Sequence, residues 1–300
     1  MSVTASAPGS VMIIGEHAVV QGAPALVAAI DQRARVTVKK RADRQVVFTS
    51  EIASPLETSL DDLRVAGPYR FLAAALKAFE PEHGVDVKTQ SDIDPTLGLG
   101  SSAAITIAAL GAFARLYERP IDVHSRALGI VRAIQGRGSG ADLAASFQGG
   151  VVRYQLGEAG APAHLSPVPW PYELSLKYVG YKTPTGEVLE KVARAAAAQP
   201  QRYETLYREM AELSAFACDA AQRHERAAFA RALDGYQILM ARLGVSEPAL
   251  DALVEEARAG GADAAKISGS GLGDCVLAFG ARPPGFAPAP LAQKGLLIDA

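Results

Sequence analysis

Apolar and polar positions alternate first around residue 36. Ala34, Val36 and Val38 interleave with Arg35, Thr37 and Lys39, the two-residue period of a half-buried strand. Val46-Val47-Phe48 reads as its hairpin neighbour, across a turn at Ala42-Asp43-Arg44. An Ala- and Leu-rich run over 71–79 suits a helix. Alternation returns over 85–93, and Pro95 ends that strand. Gly98-Leu99-Gly100 follows, then a long helix over 101–117 and a second over 123–134. The second helix ends in Gly136-Arg137-Gly138-Ser139-Gly140. Asp142 opens another short helical stretch, and Gly149-Gly150 turns the chain into a strand over 151–154.

Gly157, Gly160, Pro162, Pro167 and Pro169 cluster next, and a domain boundary is expected within 156–170. This divides the chain into 1–160 and 161–300. Beyond it one strand is read over 174–179, then helices. Tyr203, Leu206, Met210, Leu213 and Ala217 recur at helical spacing; so do Phe229, Leu233, Tyr236, Met240 and Leu243, and Leu250, Leu253, Val254 and Ala257. The chain closes with Ser268-Gly269-Ser270-Gly271-Leu272-Gly273 and an apolar strand over 276–279. Hairpins mixed with crossovers in both halves give an α+β class rather than a doubly wound sheet.

Composition removes several functions. The 30 basic and 32 acidic residues leave a net charge of −2, so neither a nucleic-acid partner nor a membrane surface is expected. Two cysteines, Cys218 and Cys275, are too few for a disulfide framework and fit a reducing compartment. The N-terminus shows no secretory signal and no apolar run reaches membrane-spanning length. The expectation is a soluble, cytoplasmic protein.

The chemistry concentrates in the glycine clusters. Gly98-Leu99-Gly100-Ser101-Ser102-Ala103-Ala104 lies between a strand and a helix, where glycines permit close backbone approach and free N–H groups favour an anion. A second helix start after Gly271-Leu272-Gly273 would act alike. No P-loop and no protein-kinase motif set occurs. The same segment fits G-x-G-x-x-A, so an NAD(P)-dependent oxidoreductase is an alternative. That fingerprint requires an acid ending a second parallel strand, and Glu118 stands at about the right distance but after a long helix.

Three segments in order resemble the GHMP kinase superfamily: Ala7-Pro8-Gly9-Ser10 with Gly15-Glu16-His17-Ala18-Val19-Val20; the cluster beginning at Gly98; and Lys266-Ile267-Ser268-Gly269-Ser270-Gly271-Leu272-Gly273-Asp274-Cys275. They span nearly the whole chain. The Glu16-His17 string, Ser139-Gly140-Ala141-Asp142 and Tyr181-Lys182-Thr183-Pro184-Thr185 are most similar to mevalonate kinases. Gly140-Ala141-Asp142-Leu143-Ala144-Ala145 and Gly273-Asp274-Cys275 look equally like bacterial phosphomevalonate kinases. The resemblance implies a two-domain fold, with an N-terminal domain like domain 2 of ribosomal protein S5 and a ferredoxin-like C-terminal domain, and an active site in the cleft between them.

The reaction so implied is ATP- and Mg²⁺-dependent phosphoryl transfer to mevalonate or, alternatively, to phosphomevalonate. By resemblance, Gly98, Leu99, Gly100, Ser101, Ser102 and Ala103 bind ATP, and Ser102 is the Mg²⁺ ligand. Asp142 is the catalytic base and Lys182 a catalytic cation. Glu16, His17, Asp142, Thr185, Ser268, Gly269 and Ser270 face the substrate. His83, His124, His164 and His224 receive no role. Two positions depart from the family: Ser10 stands where a lysine is common, its charge possible to supply from Lys182, and Val131 stands where mevalonate kinases carry a metal-binding Glu. A catalytically silent binding protein is therefore a third alternative. A homodimer is compatible with the sequence.

Overall fold

A computed structural model describes residues 2–94, 97–136, 138–157, 161 and 163–299. Pro95, Arg137, Gly160 and Pro162, which entered the sequence expectations, lie outside the described residues. The chain opens with β1 (Ser2–Ile14), turns through a 3₁₀ segment (Ala18–Gln21) and returns as β2 (Ala25–Lys40). These two strands pair antiparallel over most of their length and form the spine of the first sheet.

Much of that spine has no readable period. β1 carries the small residues Ala5, Ala7 and Gly9, and Pro8 in its middle would normally argue against an interior strand. Pro8 is accommodated because the register with β2 shifts between Pro8 and Gly9, and the strand on the other side pairs only through Ser6. The first part of β2, Ala25 to Ile30, is buried throughout, so it reads as a continuous apolar run rather than an alternation.

The first half continues with β3 (Gln45–Ser50), β4 (Leu56–Ser59), α1 (Arg70–Lys77), β5 (Val85–Ser91), α2 (Ser101–Leu116), α3 (Val123–Gln135), α4 (Ala141–Gln148), β6 (Val151–Gln155) and β7 (His164–Val168). The second half contributes β8 (Leu174–Lys182), α5 (Thr185–Ala198), α6 (Pro200–Gln222), α7 (Arg226–Leu243), α8 (Pro248–Ala259), β9 (Ala264–Ser268), β10 (Gly273–Phe279), β11 (Ala287–Pro288) and β12 (Leu297–Asp299). The class is α+β, as expected.

The first sheet runs β12-β1-β2-β5-β3-β4, with β6 joined to β2 and β7 to β6. β3 is therefore not the hairpin neighbour of β2. β5 inserts between them, antiparallel to β2 and parallel to β3. The backbone shows why. The Arg41 N–H donates to the Gly84 carbonyl at 3.0 Å and the Gly84 N–H to the Asp43 carbonyl at 2.7 Å, so the turn wraps around Gly84 and holds the strands apart. Helix α2 packs on β1 and β2, α4 lies beside it on the same strands, and α1 and α3 pack against α2.

The second sheet runs β11-β8-β10-β9, all antiparallel. α7 and α8 pack against it, and α6 joins α7 to the 3₁₀ segment and β2. The expected helix start after Gly271-Leu272-Gly273 is absent. The chain there closes a tight turn from β9 into β10, with Gly269, Gly271, Leu272 and Gly273 all at positive φ. The C-terminal segment then returns to the first sheet: Leu291 bridges to Ile30 and β12 pairs with β1. Among the described residues, no helix is long and apolar enough to cross a membrane.

Candidate active site

A cavity of about 1160 Å³ opens where these elements meet, and every candidate site residue read from the sequence lines it. One wall is the start of α2. Gly100, at φ +68°, is its N-cap, and among the described residues no side chain is seen to cap the first N–H groups. Only glycine fits there, because a Cβ on Gly100 would lie 2.0 Å from the Ser10 Oγ. The Ser10 N–H donates to the Leu99 carbonyl at 3.0 Å, which pins the loop to β1. Gly98 and Leu99 precede the cap, Ser101 and Ser102 open the helix, and Ala103 is buried beneath them.

The start of α4 forms the adjoining wall. Its N-cap, Gly140, also has positive φ and has no side chain to cap the helix, and the Ala141 N–H donates to the Ser139 Oγ at 3.3 Å. Asp142 sits in that first turn. Its Oδ1 accepts a hydrogen bond from the Ser10 Oγ at 2.9 Å. Burial pushes the Asp142 carboxyl above the usual carboxylate range. The Ser10 hydrogen bond and the positive charge of Lys182 oppose that rise, and the negative charge of Asp274 adds to it. A carboxylate so placed can take a proton from a substrate hydroxyl.

The turn before Asp142 is fixed by two residues that the sequence left without a role. The Tyr154 hydroxyl donates to the Ser139 carbonyl at 2.5 Å, and the His124 Nε2 lies 3.2 Å from the Gly140 carbonyl. Neither has a local signal; β6 and α3 bring them to the site only after folding.

The third wall comes from the second sheet. Lys182 ends β8, and its Nζ lies 3.0 Å from the Asp274 Oδ1. Both press on the glycine loop, since a Cβ on Gly98 would fall 2.5 Å from the Asp274 Oδ1 and 2.9 Å from the Lys182 Nζ. Burial raises the Asp274 carboxyl, with Lys182 opposing it. Thr185, the first residue of α5, stands nearby.

Glu16, His17 and the β9–β10 turn close the far end. Glu16 is ion-paired through Oε1 to the Lys266 Nζ at 2.5 Å, with both side chains essentially sequestered. Burial pushes the acid up and the amine down, and their attraction counters both shifts. The His17 Nε2 lies 2.9 Å from the Ser270 carbonyl. A carbonyl only accepts, so Nε2 carries the proton and Nδ1 is a bare acceptor. Burial holds this imidazole neutral. The His17 Nδ1, Glu16 Oε2 and Ser270 Oγ are buried without hydrogen-bond partners. Ser268 donates to the Met12 carbonyl at 2.8 Å and Gly269 turns the chain at φ +102°. Lys266 and Asp274 were visible in the sequence only as letters of a motif.

The oxidoreductase alternative is not supported by this topology. α2 leads into α3 and α4, and the next strand, β6, is antiparallel to β2. Among the described residues no strand after α2 pairs with β5, since β6 joins β2 at a separate stretch, and Glu118 sits in the turn just beyond α2.

Comparison with known proteins gives one direction. Residues 68–150 match the GHMP kinases N terminal domain, residues 217–285 the GHMP kinases C terminal domain, and residues 2–40 the galactokinase galactose-binding signature. The mevalonate kinase of Aeropyrum pernix is 32% identical over 286 residues, covering 91% of this chain and 87% of that one. Among solved structures, the Lin0012 protein from Listeria innocua superposes with a TM-score of 0.86 at 20% identity, over 100% of this chain and 99% of the other. The L. major mevalonate kinase in complex with R-mevalonate gives a TM-score of 0.75 at 23% identity, over 92% and 86%.

Proposed function

The chain belongs to the GHMP kinase family and is a small-molecule kinase, and from that premise we propose that it moves the γ-phosphoryl group of ATP to the hydroxyl of mevalonate, giving 5-phosphomevalonate and ADP. The observation that carries this reading is the convergence of Asp142, Ser10 and Lys182 on the glycine loop, in a chain whose curated relatives are mevalonate kinases.

Phosphoryl transfer asks a protein for positioning and charge neutralisation more than for covalent chemistry. The uncapped start of α2 offers backbone N–H groups to the phosphates, and Gly98 and Gly100 let them approach. Asp142 takes the proton as the substrate oxygen bonds to the γ-phosphorus and the bond to the β-phosphate breaks. Ser10 holds Asp142 in place, and Lys182 supplies the positive charge that a lysine at position 10 would have given. His17 Nδ1, Ser270 Oγ and Glu16 Oε2 meet the polar groups of the acceptor.

The donor set suits Mg²⁺ arriving with the nucleotide. Among the described residues no group of three acidic, His or Cys side chains could hold a metal alone, and Val131 offers no ligand. Mg²⁺ accepts few protein oxygens when phosphates and water supply the rest. The Ser102 hydroxyl would hold it, and when bound it neutralises phosphate charge.

Phosphomevalonate is the second reading, drawn from the Gly273-Asp274-Cys275 string, whose aspartate also lines the cavity. A panel of acceptors with ATP, read as ADP release, tests both. ATP-dependent turnover of mevalonate supports the proposal, and turnover of phosphomevalonate alone refutes it.

A further inference from the structure

Asp274 is built into the cavity at a conformational cost. It has φ +70°, a left-handed backbone that a residue with a Cβ adopts only under strain. The pairing of β10 with β8 is irregular just here, slipping between Gly273 opposite Lys182 and Cys275 opposite Tyr178. Such irregularities re-aim side chains beside active sites. The result is a carboxylate whose side chain is only 5% exposed, set between two glycines. A Cβ on Gly98 would meet one of its oxygens at 2.5 Å, and a Cβ on Gly269 the other at 2.9 Å. Its ion-pair partner is Lys182, which ends β8 and is otherwise 30% exposed.

A free lysine carries large rotamer freedom, and ordering its ammonium before the substrate arrives needs a fixed counter-charge. We propose that Asp274 is a positioning residue that holds the Lys182 ammonium against Gly98 and facing Asp142, where it meets the terminal phosphate of the nucleotide. This rests on the kinase reading and adds to it. Asp274 acts through Lys182 and does not itself touch the reacting atoms.

The test is a double-mutant cycle of Asp274 and Lys182. Asp274→Asn keeps the side-chain shape, and Asp274→Gly fits the left-handed backbone without strain. Both remove the counter-charge, so both lower kcat by about 10²-fold with the thermal midpoint unchanged or raised. Asp274→Glu recovers part of the loss. In a Lys182→Met background the further effect of Asp274→Asn falls below about 3-fold, because the lysine it positions is gone.

The same cycle is read by calorimetry as the affinity for a non-hydrolysable ATP analogue relative to ADP. Lys182→Met lowers that ratio, Asp274→Asn lowers it less, and the double variant matches Lys182→Met. Additive losses in either readout overturn the inference, as does full activity in Asp274→Gly. A raised Mg²⁺ requirement specific to the Asp274 variants overturns it too, because it makes the carboxylate a metal ligand. Failure of the wild type to use any acceptor refutes the kinase proposal alone, since the binding cycle still decides the role of Asp274.

Discussion

Asp142 is the residue on which burial and chemistry pull in opposite directions. Its carboxyl is held above the ordinary value of 3.8 because desolvation outweighs the help of Ser10 and Lys182. The folded protein therefore binds that proton more tightly than the unfolded chain does. The stabilisation this brings is complete below the unfolded value and is lost as pH rises through the folded one, so at neutral pH the ionised carboxylate is a net cost. Asp142→Asn removes the cost and the base together. Its kcat is expected to fall about 10²-fold or more, while its thermal midpoint at pH 7 rises above that of the wild type. In parallel melts the difference is expected to shrink as pH is lowered toward 4. A variant that is both inactive and less stable would mark Asp142 as a structural cap.

Gly100, the N-cap of α2, shows how an element edge serves the site. Gly100→Ala puts a Cβ within 2.0 Å of the Ser10 Oγ and into a left-handed backbone. The expected outcome is a loss of about 1–3 kcal/mol in a denaturant melt. A fall of about 10²-fold in kcat accompanies it, because Ser10 is displaced from Asp142. An active, fully stable Gly100→Ala would refute the tight-approach account.

The same scale explains what was legible beforehand. Helices α2, α3, α6, α7 and α8 have periodic stripes or sharp glycine ends, so their positions follow from pattern. β1, the early part of β2, β9 and α5 do not stand out: β1 and β2 are interrupted by Pro8 or uniformly apolar, and β9 is buried along its whole length. The residue partners in the site are less legible still. Ser10 and Asp142 are 132 positions apart and Glu16 and Lys266 are 250 apart, and no local spacing relates them. Family resemblance reached the loops that bear these residues. It did not reach Tyr154 and His124 behind the Asp142 turn, or the pairing of Lys182 with Asp274.

Across the whole molecule, the two sheets are tied together by long-range contacts that also shape the cavity. The Glu16–Lys266 pair joins the 3₁₀ turn after β1 to β9, Tyr236 of α7 donates to the Glu16 carbonyl at 2.7 Å, and Ser214 of α6 donates to the Pro24 carbonyl at 2.5 Å. The C-terminal segment is clamped in the same way. Arg33 donates to the Ser6 carbonyl and to the Lys294 and Gly295 carbonyls at 2.9, 2.9 and 2.5 Å, holding β12 against β1. Arg33→Ala is expected to cost about 2 kcal/mol in a chemical denaturation melt, given about 1.5–3 kcal/mol per charged hydrogen bond and partial exposure. Amide exchange should rise first in β12. Unchanged protection there would show that the strand is held by packing alone.

These walls meet at one point, the space before Gly98 bounded by Asp142 and Lys182, and the account requires a phosphoryl group to be transferred there. The most direct measurement is ³¹P NMR of the wild-type protein with ATP, Mg²⁺ and mevalonate. Appearance of a phosphomonoester of mevalonate in step with ADP is the result predicted. ATP left intact beside mevalonate, with consumption only when phosphomevalonate is supplied, would contradict it.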